Sequence, residues 1–490
     1  MSVTRRDFLS YAGAYALAPH PLKNAKHGAK RPNVVMIMAD DHGAWATGAY
    51  GCPDIRTPNM DALARGGARF TRSLVCTPVC SPSRMTYLTG LLPSQHGVQD
   101  YLLPEDSRGP SSRNWLEGHL TYTEVLARSG YTLGMCGKWH MGKDESAQAG
   151  FTDWSAYASG GGSYRDPVFV RNGIETPVKG FREDAIGDFA LEFLQKQKSS
   201  DSPFFLAVNF FAPHTPYNYQ PEVYQRPYGE SKFSCFPSTQ PCAAENPELL
   251  PMFGKRQPKE AYSALVTSID ANIGRILERL KDLNLREDTL VIYTADHGWN
   301  AGHHGVWGKG NGTIPLNMYD ESLRVPMIWN HSGRIAPEQT VDQMISSYDF
   351  FPTILEYLGA SIEHDPRRIG RSYAALLHGG LPERRDRLYF EYANTRAVRT
   401  ATMKYVERTD EWPSELYDLA KDPGETNNIL HEPSYAASSN AMKRDLQQFF
   451  QKAGAPPITA WRTTTKQKLP WESSLIGPVF DKTKVRYEQL

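Results

Sequence analysis

Four short clusters along the chain carry residue types that bind cations and anions. They are Asp40-Asp41-His42-Gly43, Lys138-Trp139-His140, Pro213-His214 and Asp296-His297-Gly298. Adjacent aspartates are costly to place together without a cation between them. The carboxylates of Asp40, Asp41 and Asp296 are hard oxygen donors of the kind that hold Ca2+ or Mg2+, and His297 can add a nitrogen or hold the ligand shell. Zinc fits less well, because no cysteine and histidine spacing of the structural type occurs. Lys138, His140 and His214 bring positive charge and acid–base capacity to the same site. Such a site is built for an anion, a phosphate or sulfate ester. A fifth stretch, VCTPVCSPSRMTYLTG from Val75 to Gly90, holds two cysteines, each followed two residues later by proline. Cys76 and Cys80 read as a disulfide, as half of a metal site, or as one reactive cysteine beside a bystander.

The elements that must position these clusters are legible as apolar runs ahead of them. Asn33 to Ala39, Tyr131 to Cys136, Phe204 to Phe211 and Thr289 to Ala295 each run directly into one cluster. The runs lack alternation, which predicts strands buried on both faces, as in a parallel sheet. Helical patterns lie between them, over Asn59 to Ala68 and over Glu260 to Leu283, where Ala264, Ile269, Ile273, Ile276 and Leu280 recur at helical spacing. The alternation predicts an α/β fold, a three-layer α/β/α sandwich around a mostly parallel central sheet. Ligands of such sheets bind beyond the carboxyl ends of the strands, so the four clusters are expected to converge on one edge. Asp349 to Leu358 reads as a further helix near the end of this unit. Leu388 to Tyr392, Arg396 to Arg399 and Met403 to Val406 then read as short strands of a small antiparallel sheet, with a helix over Ser439 to Lys452 packed on it. The expected organisation is a catalytic domain over residues 30–375 and a smaller C-terminal subdomain and tail over 376–490.

These motifs together resemble the type I sulfatase family, within the alkaline-phosphatase-like superfamily. C-S-P-S-R-x-x-x-L-T-G from Cys80 to Gly90 is similar to the family signature, as are G-K-W-H-x-G at Gly137 to Gly142, P-H-x-P at Pro213 to Pro216 and T-A-D-H-G at Thr294 to Gly298. So are H-G-V-W-G-K at His304 to Lys309, Y-D-E-S-L-R-V-P at Tyr319 to Pro326, and the segment from Glu415 to Asn428. Several motifs in order, over about Pro32 to Leu430, are far more specific than any one of them. The resemblance implies a cysteine oxidised to formylglycine by a maturation enzyme that reads C-x-P-x-R. Cys80 has both Pro82 and Arg84, whereas Cys76 has Pro78 but lacks the arginine. Cys80 is therefore the nucleophile precursor by resemblance. A hydrated aldehyde carries two hydroxyls on one carbon: one attacks sulfur, and the other collapses to aldehyde and expels sulfate. By the same resemblance Asp40, Asp41, Asp296 and His297, with the matured Cys80 side chain, bind one Ca2+, with Mg2+ second. Histidine stands at position 297, where many relatives have asparagine. Arg84 orients the hydrated aldehyde, Lys138 and Lys309 bind sulfate oxygens, His214 is the acid for the leaving oxygen and His140 the base. The segment after Arg84 is expected to continue as a helix, which sets the nucleophile at a helix N-terminus.

Bulk properties bound the alternatives. Lysine plus arginine equals aspartate plus glutamate at 54 each, which argues against bulk nucleic-acid or membrane-surface binding. No apolar run approaches the roughly 20 residues that span a bilayer. Residues 1–18 contain Arg5-Arg6, a mildly apolar stretch and Ala16-Leu17-Ala18, a pattern that reads as a twin-arginine export signal and hence a periplasmic or secreted bacterial protein. Cys136 reads as a core residue, and Cys235 and Cys242 as candidates to pair in an oxidising compartment. Gly160 to Arg165 and the aromatic Tyr217 to Tyr228 are candidate pocket-rim loops, and His303 and His304 read as loop polarity. The expected substrate is a sulfated polysaccharide or oligosaccharide, then a small aryl or alkyl sulfate. The competing readings are a phosphate or phosphonate ester hydrolase on the same scaffold, and an inactive protein that binds sulfated glycans.

Overall fold

The run NVVMIMA becomes a strand, Asn33–Ala39, in which all seven residues are buried. Parallel neighbours on each side exclude water from its backbone, and helices cover both of its faces. In the computed structural model, which describes residues 31–461 except 158–159, 243–245, 247–248, 381–384 and 410–411, it is the centre of a ten-stranded sheet. Thr289–Ala295 and Phe204–Asn209 flank it in parallel, and Thr132–Lys138 and then Asp153–Tyr157 extend the parallel set. Met327–Asn330 pairs antiparallel with Thr289–Ala295, and an antiparallel hairpin of Val168–Arg171 and Ile174–Pro177 closes the opposite edge.

Successive side chains of a strand point to opposite faces, and two phenylalanines show what covers each face. Phe204 packs edge-on against Phe193 of the helix Arg182–Gln197, with ring centroids 5.8 Å apart. Phe205 packs against Tyr122 of the helix Tyr122–Arg128 at 5.6 Å. The first face also carries Arg256–Asp282, a helix that starts four residues earlier than its apolar spacing predicts. The second face carries Cys80–Thr89 and Ser347–Tyr357. The three-layer α/β arrangement expected from the sequence is present.

The small antiparallel sheet is present as well. It has four strands, Leu388–Tyr392, Thr395–Arg399, Met403–Arg408 and Glu415–Asp418, against the three predicted. The fourth is only four residues long, and its pairing with Met403–Arg408 rather than any periodicity of its own makes it a strand. The helix Ala436–Lys452 packs on this sheet through Leu446 and Phe450, and Phe449 stacks on Tyr389 at 3.6 Å. Arg399 and Lys404 join the sheet to Asp320 at 2.8 and 2.6 Å.

The cysteine expectation needs correction. Cys235 bonds to Cys52, 183 residues away, and Cys242 takes no part in the bridge. The Cys242 N–H donates to the Gly305 carbonyl (2.8 Å), whereas the Cys235 N–H donates to Asp54 Oδ2 (2.9 Å), two residues past Cys52. Cys76 and Cys136 are buried thiols, and burial pushes both well above the usual range. No helix among the described residues is long and apolar enough to cross a membrane. The expected export signal over residues 1–18 lies outside the described residues.

Candidate active site

Each cluster emerges at a strand end, as the sheet dictates. Asp40 and Asp41 follow Asn33–Ala39 directly, Lys138 ends Thr132–Lys138, His214 lies five residues beyond Phe204–Asn209, and Asp296 and His297 follow Thr289–Ala295. The strand that delivers Lys138 passes so close to its neighbour that only glycine fits at 137. A Cβ there would lie 2.0 Å from the Asn209 carbonyl oxygen, and its φ of +102° lies in the left-handed region. Asp41 and His140 also hold positive φ, 64° and 61°, an arrangement that clusters at functional sites.

Cys80 is the first residue of the buried helix Cys80–Thr89, behind an extended Val79 that supplies no side-chain cap. Its sulfur therefore stands at the positive end of a helix dipole. Three side chains from three other segments surround it. Lys309 Nζ is 3.0 Å from the sulfur, His297 Nε2 3.4 Å, and Asp40 Oδ1 3.5 Å. Lys309 also donates to Asp41 Oδ1 at 2.8 Å, and Lys138 to Asp40 Oδ2. Arg84, one turn along the helix, points back into the site. Its Nε donates to Asp296 Oδ2 at 2.9 Å and its Nη1 to the Lys138 carbonyl at 3.1 Å. His214 Nε2 stands 3.8 Å from Asp41 Oδ2. His140 gives its Nε2 to the Leu102 carbonyl at 2.9 Å, and its buried Nδ1 has no hydrogen-bond partner among the described residues. All ten residues singled out from the sequence are thus gathered around one point.

The charges are strongly coupled. Burial and Cys80 push the Asp40 carboxyl up, but Lys138, His214 and Lys309 outweigh them and hold it below the ordinary carboxylate range. Burial and the neighbouring Asp40 push Asp296 up. Burial would raise the Cys80 thiol, yet Lys138, Lys309 and His297 pull it well below its usual value. Burial favours neutral His297, but Asp296 overrides this and raises it to about 9. Lys309 is held well above its ordinary value, against burial, by Asp41, Cys80 and the other two aspartates.

The donor set fits a hard divalent cation. One ligand atom each of Asp40, Cys80, Asp296 and His297 lies within 4.8 Å of the others, all four residues being buried. The buried Asp41 Oδ2 accepts no hydrogen bond among the described residues, and a carboxylate oxygen left so is costly unless a cation meets it. The rise of Asp296 has the same origin, two buried carboxylates sharing a site.

A family model described as sulfatase matches residues 32–360, and one described as N-sulphoglucosamine sulphohydrolase, C-terminal, matches residues 302–452. The chain belongs to the sulfatase family. It is 30% identical over 451 residues to an ulvan-active sulfatase of Formosa agariphila, covering 86% of this chain and 82% of that one. It is 26% identical to an N-acetylglucosamine-6-O-sulfatase of Bacteroides thetaiotaomicron, over 86% of this chain and 87% of that protein. Among solved structures, a putative sulfatase from Bacteroides fragilis superposes with a TM-score of 0.74 at 26% identity, over 90% of this chain and 99% of that one. The protein is a sulfuric ester hydrolase.

In this sulfatase a cavity of about 330 Å3 opens from Cys80, Lys138, His140, His214 and Lys309. Gly160 and Gly161 line it, as their loop suggested. The Tyr217–Tyr228 stretch does not: Tyr217 packs against Trp307, and the Tyr224 hydroxyl donates to Asp184 at 3.0 Å. These rings serve loop packing. His303 sits against Trp45, and His304 pairs with Glu321 at 2.7 Å and stacks on Tyr319, so neither lines the cavity. Sequence reasoning missed Tyr101, Asn246, Leu249, Trp299 and Asn311, all of which do. Trp299 stands two residues after His297 and Asn311 two residues after Lys309, so both were open to inference; the others carry no local signal.

Proposed function

We propose that this sulfatase removes sulfate from a saccharide, using Cys80 matured to formylglycine as nucleophile. Cys80 Sγ stands where an oxygen of the matured side chain belongs. The observation that carries the reading is the convergence of Lys309, His297 and Asp40 on that one atom, at 3.0, 3.4 and 3.5 Å. Asp40, Asp41, Asp296 and His297 would hold a divalent cation, Ca2+ or Mg2+ by the chemistry of the donors and Ca2+ first by the family resemblance. Bound there, such an ion polarises sulfate oxygens and lowers the pKa of an attacking hydroxyl.

The roles of the side chains follow from what they touch. Lys309 and Lys138 flank the nucleophile with fixed positive charge, suited to sulfate oxygens as charge builds on them. Arg84 neutralises Asp296 and braces the Lys138 carbonyl, which holds the nucleophile's helix and the cation site in one register. His214, the most exposed of the set at 21% of its side chain, faces the cavity and can hand a proton to the leaving alcohol. His140, its Nε2 committed to Leu102, has Nδ1 for taking a proton from the matured side chain.

The saccharide reading rests on the relatives named for ulvan and for N-acetylglucosamine 6-sulfate. The Cys52–Cys235 bridge suits an oxidising compartment, consistent with a periplasmic or secreted enzyme delivered by the twin-arginine machinery and matured by a formylglycine-generating enzyme. Two measurements test the proposal. The Cys80 peptide from a host with the maturation enzyme should carry an aldehyde, and unmodified cysteine with full activity would refute the mechanism. A panel of sulfated sugars against phosphate and phosphonate esters should favour sulfate release, and preference for phosphorus would overturn the substrate class.

A further inference from the structure

The segment that carries His214 is held from two sides. On one side Phe210 donates its N–H to the Met38 carbonyl (2.8 Å), and the Ala212 carbonyl accepts the Asp40 N–H (3.1 Å). On the other side a single carboxylate oxygen, Glu183 Oε2, accepts the N–H groups of Phe211 (3.2 Å) and Ala212 (3.3 Å). Glu183 is the second residue of the helix Arg182–Gln197, and its side chain is fully buried. The Phe211 ring lies 4.8 Å from the His214 imidazole, centroid to centroid, with the Arg182 guanidinium 4.1 Å above the same phenyl ring. The Tyr164 hydroxyl donates to the His214 carbonyl at 2.7 Å.

A buried carboxylate is expensive to desolvate. The neighbouring buried Arg182 offsets part of its charge, and the two amides satisfy its Oε2. Glu183 Oε1 has no hydrogen-bond partner among the described residues, so the hydrogen bonds of this side chain go to the His214 segment. The Ala212 peptide is thereby clamped between Glu183 and Asp40, two residues ahead of the imidazole.

We propose that Glu183 is a positioning residue for His214, setting through the Phe211 and Ala212 amides where the imidazole stands relative to the leaving oxygen. The inference rests on His214 being the acid for the leaving group. Misplacing an acid slows only those reactions that need it. An ester of a poor leaving group needs the proton, while a strongly acidic phenol departs without it. A general loss of folding would lower both alike.

The test measures kcat/KM of the matured enzyme on aryl sulfates graded by leaving-group acidity. Glu183→Ala should lose about 10- to 100-fold on the poorest leaving group and less than about threefold on the best. Glu183→Gln, whose amide oxygen can accept the same two N–H groups, should stay near wild type throughout. Equal loss across the series, or no loss, would overturn the proposal. His214→Ala is the control for the underlying reading. If its loss is not graded, the role of His214 fails and the inference with it. If its loss is graded and that of Glu183→Ala is not, only the role of Glu183 fails. Should Glu183→Ala not fold, Glu183→Asp, one methylene shorter, is expected to show the graded loss, and its absence counts against the proposal in the same way.

Discussion

Without a cation, the three aspartates and the Cys80 thiolate of the site are balanced by Lys138, Lys309, Arg84 and a protonated His297, whose pKa Asp296 raises to about 9. A histidine that ligates a metal must be neutral, so cation binding has to expel this proton. The perturbation is pH, applied to the metal-free protein with Cys80 unmodified. The group is protonated below its raised pKa, so affinity is full above about pH 9 and falls as pH drops. The apparent association constant scales with the neutral fraction, about one part in 11 at pH 8 and one in 1,000 at pH 6, so affinity for Ca2+ should fall about 90-fold, or about 2.7 kcal/mol. Asp296, raised by burial and by Asp40, adds a second proton at the acid end and makes this a lower bound. Calorimetric titration in buffers of different ionisation enthalpy reads both quantities. About one proton should leave per cation at pH 8, and His297→Asn should flatten the dependence between pH 8 and pH 6. A wild-type affinity that is level across that range, with no proton released, would show that His297 is not a ligand.

Three further outcomes are expected. Lys309→Met removes the cation 3.0 Å from the nucleophile and 2.8 Å from Asp41; kcat should fall about 100- to 1,000-fold with a smaller change in KM, since the contact strengthens as charge develops, and activity within threefold of wild type would remove Lys309 from the mechanism. Replacing Cys52 and Cys235 together by serine frees a loop of 183 residues; stability should drop by about 2–5 kcal/mol, read by thermal unfolding, with sulfate release retained well below the new midpoint. Gly137→Ala drives a Cβ to 2.0 Å from the Asn209 oxygen at a φ of +102°; the strain should cost at least about 2 kcal/mol and displace Lys138, visible as a lowered midpoint and weakened sulfate binding.

Much of the site was legible in the chain because four of its clusters each follow an apolar run, while Cys80, Arg84 and Lys309 stood out through their motifs. A parallel sheet converts that one-dimensional adjacency into three-dimensional convergence, since all its strands end on one edge. The strands Asn33–Ala39 and Thr289–Ala295 were readable to the residue, their seven-residue apolar runs being bounded by polar clusters. Helix ends were less legible. Arg256–Asp282 begins in a polar turn that carries no apolar face, so periodicity starts late.

The sequence by itself determined the fold class and the family, and it singled out Cys80 over Cys76 as the candidate for maturation, because proline and arginine at fixed offsets distinguish the two without any reference to space. Tertiary structure alone decided the partners that depend on distant segments meeting. Cys235 pairs with Cys52 rather than Cys242, its segment being held to Asp54 beside Cys52, a fact about packing that spacing does not encode. The aromatic Tyr217–Tyr228 stretch, which read as a candidate pocket-rim loop, is turned toward other rings and polar side chains. Glu183, with no motif around it, reaches the amides ahead of His214 only because a helix on one face of the sheet starts beside the strand that ends there.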